Sequence, residues 1–212
     1  VEILLASLDQ QNAYKLIVGS IVPRPIAWVS TLSTVGARNL APFSFFNAIG
    51  SNPPALVFST TYSPHTDHRK DTLRNILDTK EFVVNIVDEA LAPAMNTTAT
   101  DYPDEIDEFA VAQLEAAPSR LIKPPRVAAA PVSFECSLFT TVPVGEGPGS
   151  ATLVVGTILV AHVRDDLIDD RYRIDVHKLQ PVGRLAGNDY VYVRDVFSLA
   201  RRRYNRETGQ VE

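Results

Sequence analysis

The spacing of apolar residues changes period several times along the chain, and each change marks an element. In LDQQNAYKLI, residues 8–17, Leu8, Tyr14 and Ile17 recur at helical spacing and predict a short N-terminal helix. VGSIVPRPIAWVSTLS then turns to β-branched residues. Pro23 and Pro25 each remove a ladder donor, so the predicted strand begins at Ile26 with the prolines at its entry. Gly36 supplies a turn, and LAPFSFFNAIG is expected to follow as a second strand, with Pro42 confining it to an edge or an irregular segment. PALVFSTTY reads as a third strand. Leu73, Ile76 and Leu77 predict a helix starting near Asp71, and EFVVNIV a compact buried strand.

The acidic, proline-broken stretch DEALAPAMNTTATDYPDEIDEFAVAQL reads as helix or irregular turns with one side exposed. VAAAPVSFECSLFTTVPV and SATLVVGTILVAHVRDD are long β patterns joined through GEGPG as a hairpin. PVGRLAGNDYVYV adds a loop and one more strand. DVFSLARRRYNRETGQVE is expected to be a short helix fading into a charged end. Many short strands with a few inserted helices predict a mainly β barrel rather than a doubly wound sheet. The length of 212 residues suits a single domain over 1–212, with the short N-terminal helix and the charged C-terminal tail as its ends.

Composition narrows the function. A net charge of −5 without a basic stripe argues against a nucleic-acid surface. No apolar run approaches the ~20 residues that span a bilayer. No basic segment precedes an apolar one at the start, so no secretory signal is expected. Cys136 is the single cysteine, which excludes an internal disulfide and makes the reducing cytoplasm the expected location.

Hydrolytic and metal chemistry find little footing. His65 and His68 lie in HTDHR, but His162 and His177 are in distant segments, so a solvated loop is the expected reading and no metal site. No G-x-S-x-G elbow exists, Cys136 sits mid-strand where a packed thiol is usual, and DDLIDD and DEIDE read as solvated acidic faces. No catalytic side chain is assigned. GEGPG imitates a phosphate loop, yet a strand follows it where the fingerprint needs a helix. Arg69, Lys70 and Thr72 do cluster at a predicted helix start, where cations, a hydroxyl and the positive end of the dipole make a phosphate seat. The alternative is an ordinary helix start capped by Asp71.

NLAPFSFFNAIGSNPP, residues 39–54, interleaves backbone-exposing residues with three phenylalanines. Such a segment suits a flat, hydrogen-bonding ring such as an isoalloxazine, with Asn39 and Ser44 as polar handles and Trp28, Ser30 and Thr31 lining the same cleft. The alternative is that Phe43, Phe45 and Phe46 are core, and strand alternation sends at least one of them there.

In order, PRPIAWVST, G..NLAPFSFF, PPALVFS, KDTLRNI....EFVVN, AMNTTATDYPDEIDEF, VSFEC and PVGRLAGNDY resemble the flavin reductase-like family of FMN-binding split barrels, in its flavoredoxin-type members. The resemblance runs from about Tyr14 to Val193. It implies a Greek-key split β-barrel working as a homodimer, with FMN, or FAD in its place, near the subunit interface. It implies phosphate contacts from Ser30, Thr31, Arg69, Lys70 and Thr72. Ring contacts come from Asn39, Leu40, Ala41, Pro42, Phe43 and Ser44, with Ser59 or Thr60 nearby. In GRLAGNDY, Ala186 stands where the family usually has glycine, and Arg184 and Tyr190 are expected to border the substrate face. The implied activity is NAD(P)H-dependent flavin reduction by hydride transfer to flavin N5. Reduced flavin or its electrons then go to a monooxygenase or other acceptor protein. A non-catalytic electron carrier fed by a partner protein is the alternative, and an OB-like barrel binding nucleic acid conflicts with the acidic balance.

Overall fold

The computed structural model describes residues 1–62 and 70–211. Helix α1 (Gln10–Ser20) begins where the Asp9 carboxylate accepts the Asn12 backbone N–H at 2.8 Å, an N-cap that satisfies an otherwise orphaned donor. Strands β1 (Ala27–Leu32), β2 (Arg38–Phe43), β3 (Phe46–Ser51) and β4 (Pro54–Thr61) follow. The stretch expected to be one strand is therefore two, parted at Ser44 and Phe45. Next come α2 (Asp71–Thr79), β5 (Glu81–Ile86), α3 (Ala92–Thr97) and α4 (Glu108–Val111), then the short pair β6 (Ala116–Ala117) and β7 (Arg126–Val127). The long hairpin of β8 (Val132–Val144) and β9 (Ala151–Val163) precedes α5 (Val176–Leu179) and two small hairpins. These are β10 (Val182–Arg184) with β11 (Tyr190–Tyr192), and β12 (Tyr204–Asn205) with β13 (Gln210–Val211).

Seven strands form one antiparallel sheet in the order β2-β1-β5-β8-β9-β4-β3. Its two edge strands, β2 and β3, are consecutive in the chain with only Ser44 and Phe45 between them, so the sheet has to curl until the two come together at that corner, their outer edges otherwise unpaired with each other. A bond from the Ser59 N–H to the Phe45 carbonyl at 2.9 Å ties the bend to β4. The result is the β-barrel with inserted helices expected from the sequence.

Strand alternation divides the apolar residues of β1 between two clusters. Ala27 and Val29 point into the barrel with Phe43, Phe58, Phe82 and Val154, and Leu73 and Ile76 of α2 join them. Ile26 and Trp28 point outward to a second cluster with Leu40, Met95 and Phe109 under α3 and α4. Both faces of β1 are covered, which is why it reads as a nearly continuous apolar run. Inside the barrel Gly156 of β9 makes room for a ring: a Cβ there would lie 2.4 Å from Phe82 Cζ.

The tail departs from expectation. Residues 193–203 are not helical, and β12 and β13 end the described chain. Val196, Phe197 and Leu199 are exposed, so a helix there would bury no apolar stripe, and Arg201, Arg202 and Arg203 repel one another within its last turn. PVGRLAGNDYVYV likewise gives two paired strands rather than one, because Gly187 takes the left-handed conformation (φ +57°) that turns the chain. Ala186 keeps a negative φ, so its methyl group costs nothing there.

Candidate functional site

The pairing of β1 with β2 sets Asn39 opposite Thr31, Leu40 opposite Ser30 and Pro42 opposite Trp28. On the side facing α2 these strands hold a buried polar knot. Thr72 Oγ1 donates to Asn39 Oδ1 at 2.7 Å, Thr31 Oγ1 donates to the same oxygen at 3.3 Å, and Asn75 Nδ2 donates to Thr31 Oγ1 at 3.0 Å. The other end of the Asn39 amide donates to Glu108 Oε1 at 3.0 Å, and Glu108 Oε2 accepts the Leu40 backbone N–H at 3.1 Å. Burial pushes the Glu108 carboxyl above its ordinary range, and its hydrogen bonds with the backbone and Asn39 only partly oppose this.

Glu108 also shapes the free edge of β2. Backbone N–H directions alternate along a strand, so Leu40 and Pro42 both occupy outward positions. The Leu40 N–H is spent on Glu108 and Pro42 has none, which leaves the outward edge of residues 40–42 presenting carbonyl acceptors. Such an edge can accept an N–H donor. It is the kind of rim that an isoalloxazine N3–H would meet.

The residues grouped by sequence do not all share one face. Trp28 is fully buried, and its Nε1–H donates to Thr98 Oγ1 at 2.8 Å. Ser30 Oγ donates to the Pro125 carbonyl at 2.5 Å and accepts from Asn85 Nδ2 at 3.3 Å. Both project from the face of β1 opposite Thr31. Phe43 lines the barrel interior 5.1 Å from the Phe58 ring, while Ala41, Pro42 and Ser44 stay half-buried at the margin. Ser59 and Thr60 are buried at the end of β4, where Thr60 Oγ1 donates to the Thr152 carbonyl at 3.4 Å. Lys70 sits directly before α2 and pairs with Asp101. Arg69, and with it His65 and His68, lies outside the described residues.

Lys70 and Leu73 also line a cavity of about 230 Å³ between the end of β4, the start of α2 and the β8–β9 turn. Thr60, Thr61, Tyr62, Ser150 and Thr152 add to its polar wall, and Gly145, Glu146 and Gly147 of GEGPG lie at the turn side, where Glu146 brings one negative charge. Among the described residues no side chain caps the N-terminus of α2, and Asp71 is the first helical residue, paired with Arg74 at 2.5 Å, rather than the cap. An ammonium, several hydroxyls and the positive end of a helix together suit a phosphate ester, with Glu146 the opposing charge in the described lining. Among the described residues no cluster of three His, Cys, Asp or Glu is gathered as for a metal ion. Burial pushes the Cys136 thiol far above its ordinary value, so it is no nucleophile.

Two residues escaped the sequence reading. Glu108 closes DEIDE, a run that looked solvated; instead Asp104 pairs with Arg74 at 2.9 Å, Asp107 accepts from Arg38 Nε at 2.8 Å, and Glu108 is buried. Only the phenylalanine that follows it hinted that the run turns inward. Arg24, just before β1, is 5% exposed. It donates to the carbonyls of Val18 (2.7 Å), Ile21 (2.8 Å) and Leu185 (2.8 Å) and reaches Ser44 Oγ at 3.4 Å. It thereby ties α1, the segment after β10 and the end of the 39–44 segment to one point, which no local pattern announces.

Comparison with known proteins agrees with this fold. A structure of nitrilotriacetate monooxygenase component B from Bacillus cereus superposes with a TM-score of 0.89 at 35% identity, covering 94% of this chain and 98% of that one. The 2-nitrobenzoate 2-nitroreductase NbaA of Pseudomonas fluorescens gives 0.85 at 36% identity, covering 95% and 96%. An uncharacterized protein of Aquifex aeolicus is 42% identical over 190 residues, 90% of this chain and 94% of its own length. The barrel is the split barrel of flavin reductases, and the family model described as "Flavin reductase like domain" matches residues 18–181. The chain belongs to the flavin reductase-like family.

Proposed function

We propose that the chain is an FMN-binding oxidoreductase that takes hydride from NAD(P)H, with the reduced flavin or its electrons passing to a partner such as a monooxygenase. One observation carries this reading: the hydroxyl-bearing end of β4 and the cationic start of α2 line one cavity, and Thr72 at that helix start is hydrogen-bonded to Asn39 of β2, the strand whose outward edge presents acceptors. The residues present fit FMN. Residues 39–44 would hold the ring, with Leu40 and Pro42 offering carbonyls. Lys70 and Thr60 would hold the phosphate end, together with Arg69. Thr31, Asn39, Thr72 and Glu108 would act one step back, fixing the edge and the helix start. Trp28 and Ser30 would brace β1 from its outer face.

When bound, FMN supplies a hydride acceptor at N5, so the protein needs no nucleophile or metal of its own. The chain's part is to orient the ring, leave one face open for a nicotinamide and neutralise phosphate charge. The similarity to a monooxygenase component B supports a partner monooxygenase. A homodimer is part of the proposal, supported by Phe139, Val142, Val144 and Leu159, which expose apolar surface on the long hairpin.

Titration of the apo-protein with FMN, followed by anaerobic mixing with NADH or NADPH, tests the reading. Saturable binding and rapid bleaching of the flavin band are expected. Binding without bleaching over minutes would instead favour the electron-carrier reading, and no binding would end both. Changing Lys70 and Thr72 together to Ala is expected to weaken FMN binding by about ten- to a hundredfold, the scale of one or two charge-assisted bonds.

A further inference from the structure

Lys70 is already engaged. Lys70 lines the cavity, and its ammonium pairs with the Asp101 carboxylate, the two side chains being 33% and 54% exposed. Asp101 belongs to a strap, residues 101–108, that crosses the α2–β2 edge with an acid every third position. Asp104 pairs with Arg74, Asp107 with Arg38, and Glu108 is buried against Asn39 and Leu40. The later contacts are reinforced: Asp107 also accepts the Phe109 N–H at 3.0 Å as the cap of α4, and Glu108 makes two bonds. Among the described residues Asp101 is paired with Lys70 alone, and its side chain is largely exposed, so it can let go without freeing the rest.

We propose that Asp101 is an internal stand-in for the phosphate and sets how tightly a phosphate-bearing flavin is held; this rests on the FMN reading above. A phosphate ester carries nearly two negative charges and three acceptor oxygens against the single charge of a carboxylate, so Lys70 exchanges Asp101 for the incoming phosphate. Binding then proceeds against the Lys70–Asp101 pair, and the measured affinity is lowered by the fraction of molecules in which that pair is closed. Asp101 thus tunes the chain toward a flavin that exchanges rather than one held permanently. The contact acts on the phosphate end alone and leaves the ring seat untouched.

Flavin fluorescence titrations with FMN and with riboflavin, which lacks the phosphate, test this in the wild type, Asp101→Asn, Lys70→Ala and the double variant. Asp101→Asn is expected to tighten FMN by about three- to tenfold, as for loss of one competing surface ion pair and its repulsion. Riboflavin affinity should stay unchanged, and the gain should vanish in the Lys70→Ala background. Equal FMN affinity in wild type and Asp101→Asn overturns the proposal. So does a gain that persists without Lys70, which would be general charge, or one shared by riboflavin. Asp101→Ser, with a thermal melt, guards against a folding artefact of the first substitution. If instead wild type binds FMN no better than riboflavin and Lys70→Ala changes neither, it is the phosphate seat of the FMN reading that fails.

Discussion

Two buried glutamates show how neighbours decide what a carboxylate does. Glu108 and Glu135 are both withdrawn from solvent and both accept backbone N–H groups. Burial opposes ionisation in each, and it prevails in Glu108. In Glu135 the bonds from the Arg120 and Leu121 N–H groups, with the His162 ring at 2.6 Å, outweigh it and hold the carboxyl below its ordinary range. A depressed carboxyl adds stability above its unfolded pKa and loses it as pH falls through the folded value. Glu135→Gln is therefore expected to be less stable than wild type at neutral pH, with the gap in melting temperature shrinking in acid below the normal carboxylate range. A gap that is constant with pH would contradict this. For Glu108, truncation to Ala strands the Leu40 N–H and the Asn39 amide in a buried site, at a cost of about 2–4 kcal/mol. Chemical denaturation reads this loss directly, and a loss under ~0.5 kcal/mol would show that water replaces the carboxylate.

At the level of elements, periodicity carried far and then stopped. Strands β1, β5, β8 and β9 were legible because β-branched residues alternate or run together, and α2 because Leu73, Ile76 and Leu77 share a face. The break at Ser44 and Phe45 was not legible, because it answers to where the barrel edges meet rather than to any local turn residue. The tail failed for the opposite reason: DVFSLARRR has a tolerable helical pattern but no surface to pack on. Within the site, segments 39–44 and 70–72 could be found by residue type. The direction each side chain takes from β1, and the inward turn of Glu108, depend on register and on long-range contacts. Gly156 illustrates the same dependence, since only the fold shows that Phe82 fills its missing side chain. Gly156→Ala is expected to cost about 1–3 kcal/mol through overpacking, measurable as a lower denaturation midpoint, whereas a neutral change would mean Phe82 moves freely.

The whole molecule places the cavity beside Lys70 and an exposed apolar surface close together. The cavity beside Lys70 is rimmed by the turn of the β8–β9 hairpin, and the same hairpin exposes Phe139, Val142 and Val144. A second copy covering that surface would wall the cavity. Phe139→Asp is expected to shift the protein from dimer to monomer in light scattering and to weaken FMN binding with it. A wild-type protein that is monomeric at all concentrations tested would remove the dimer from the proposal. Among the described residues no helix is long and apolar enough to cross a membrane.

The sheet order has a last consequence for how the chain is made. Strands β4 and β5 are separated in the sheet by β8 and β9, which are synthesised about fifty residues after β5 ends. A nascent chain emerging from the ribosome therefore cannot close the wall from β4 to β5 until a hairpin from much further along has been made. Any flavin that depends on the finished wall can be loaded only after that late arrival, so translation itself orders assembly before cofactor.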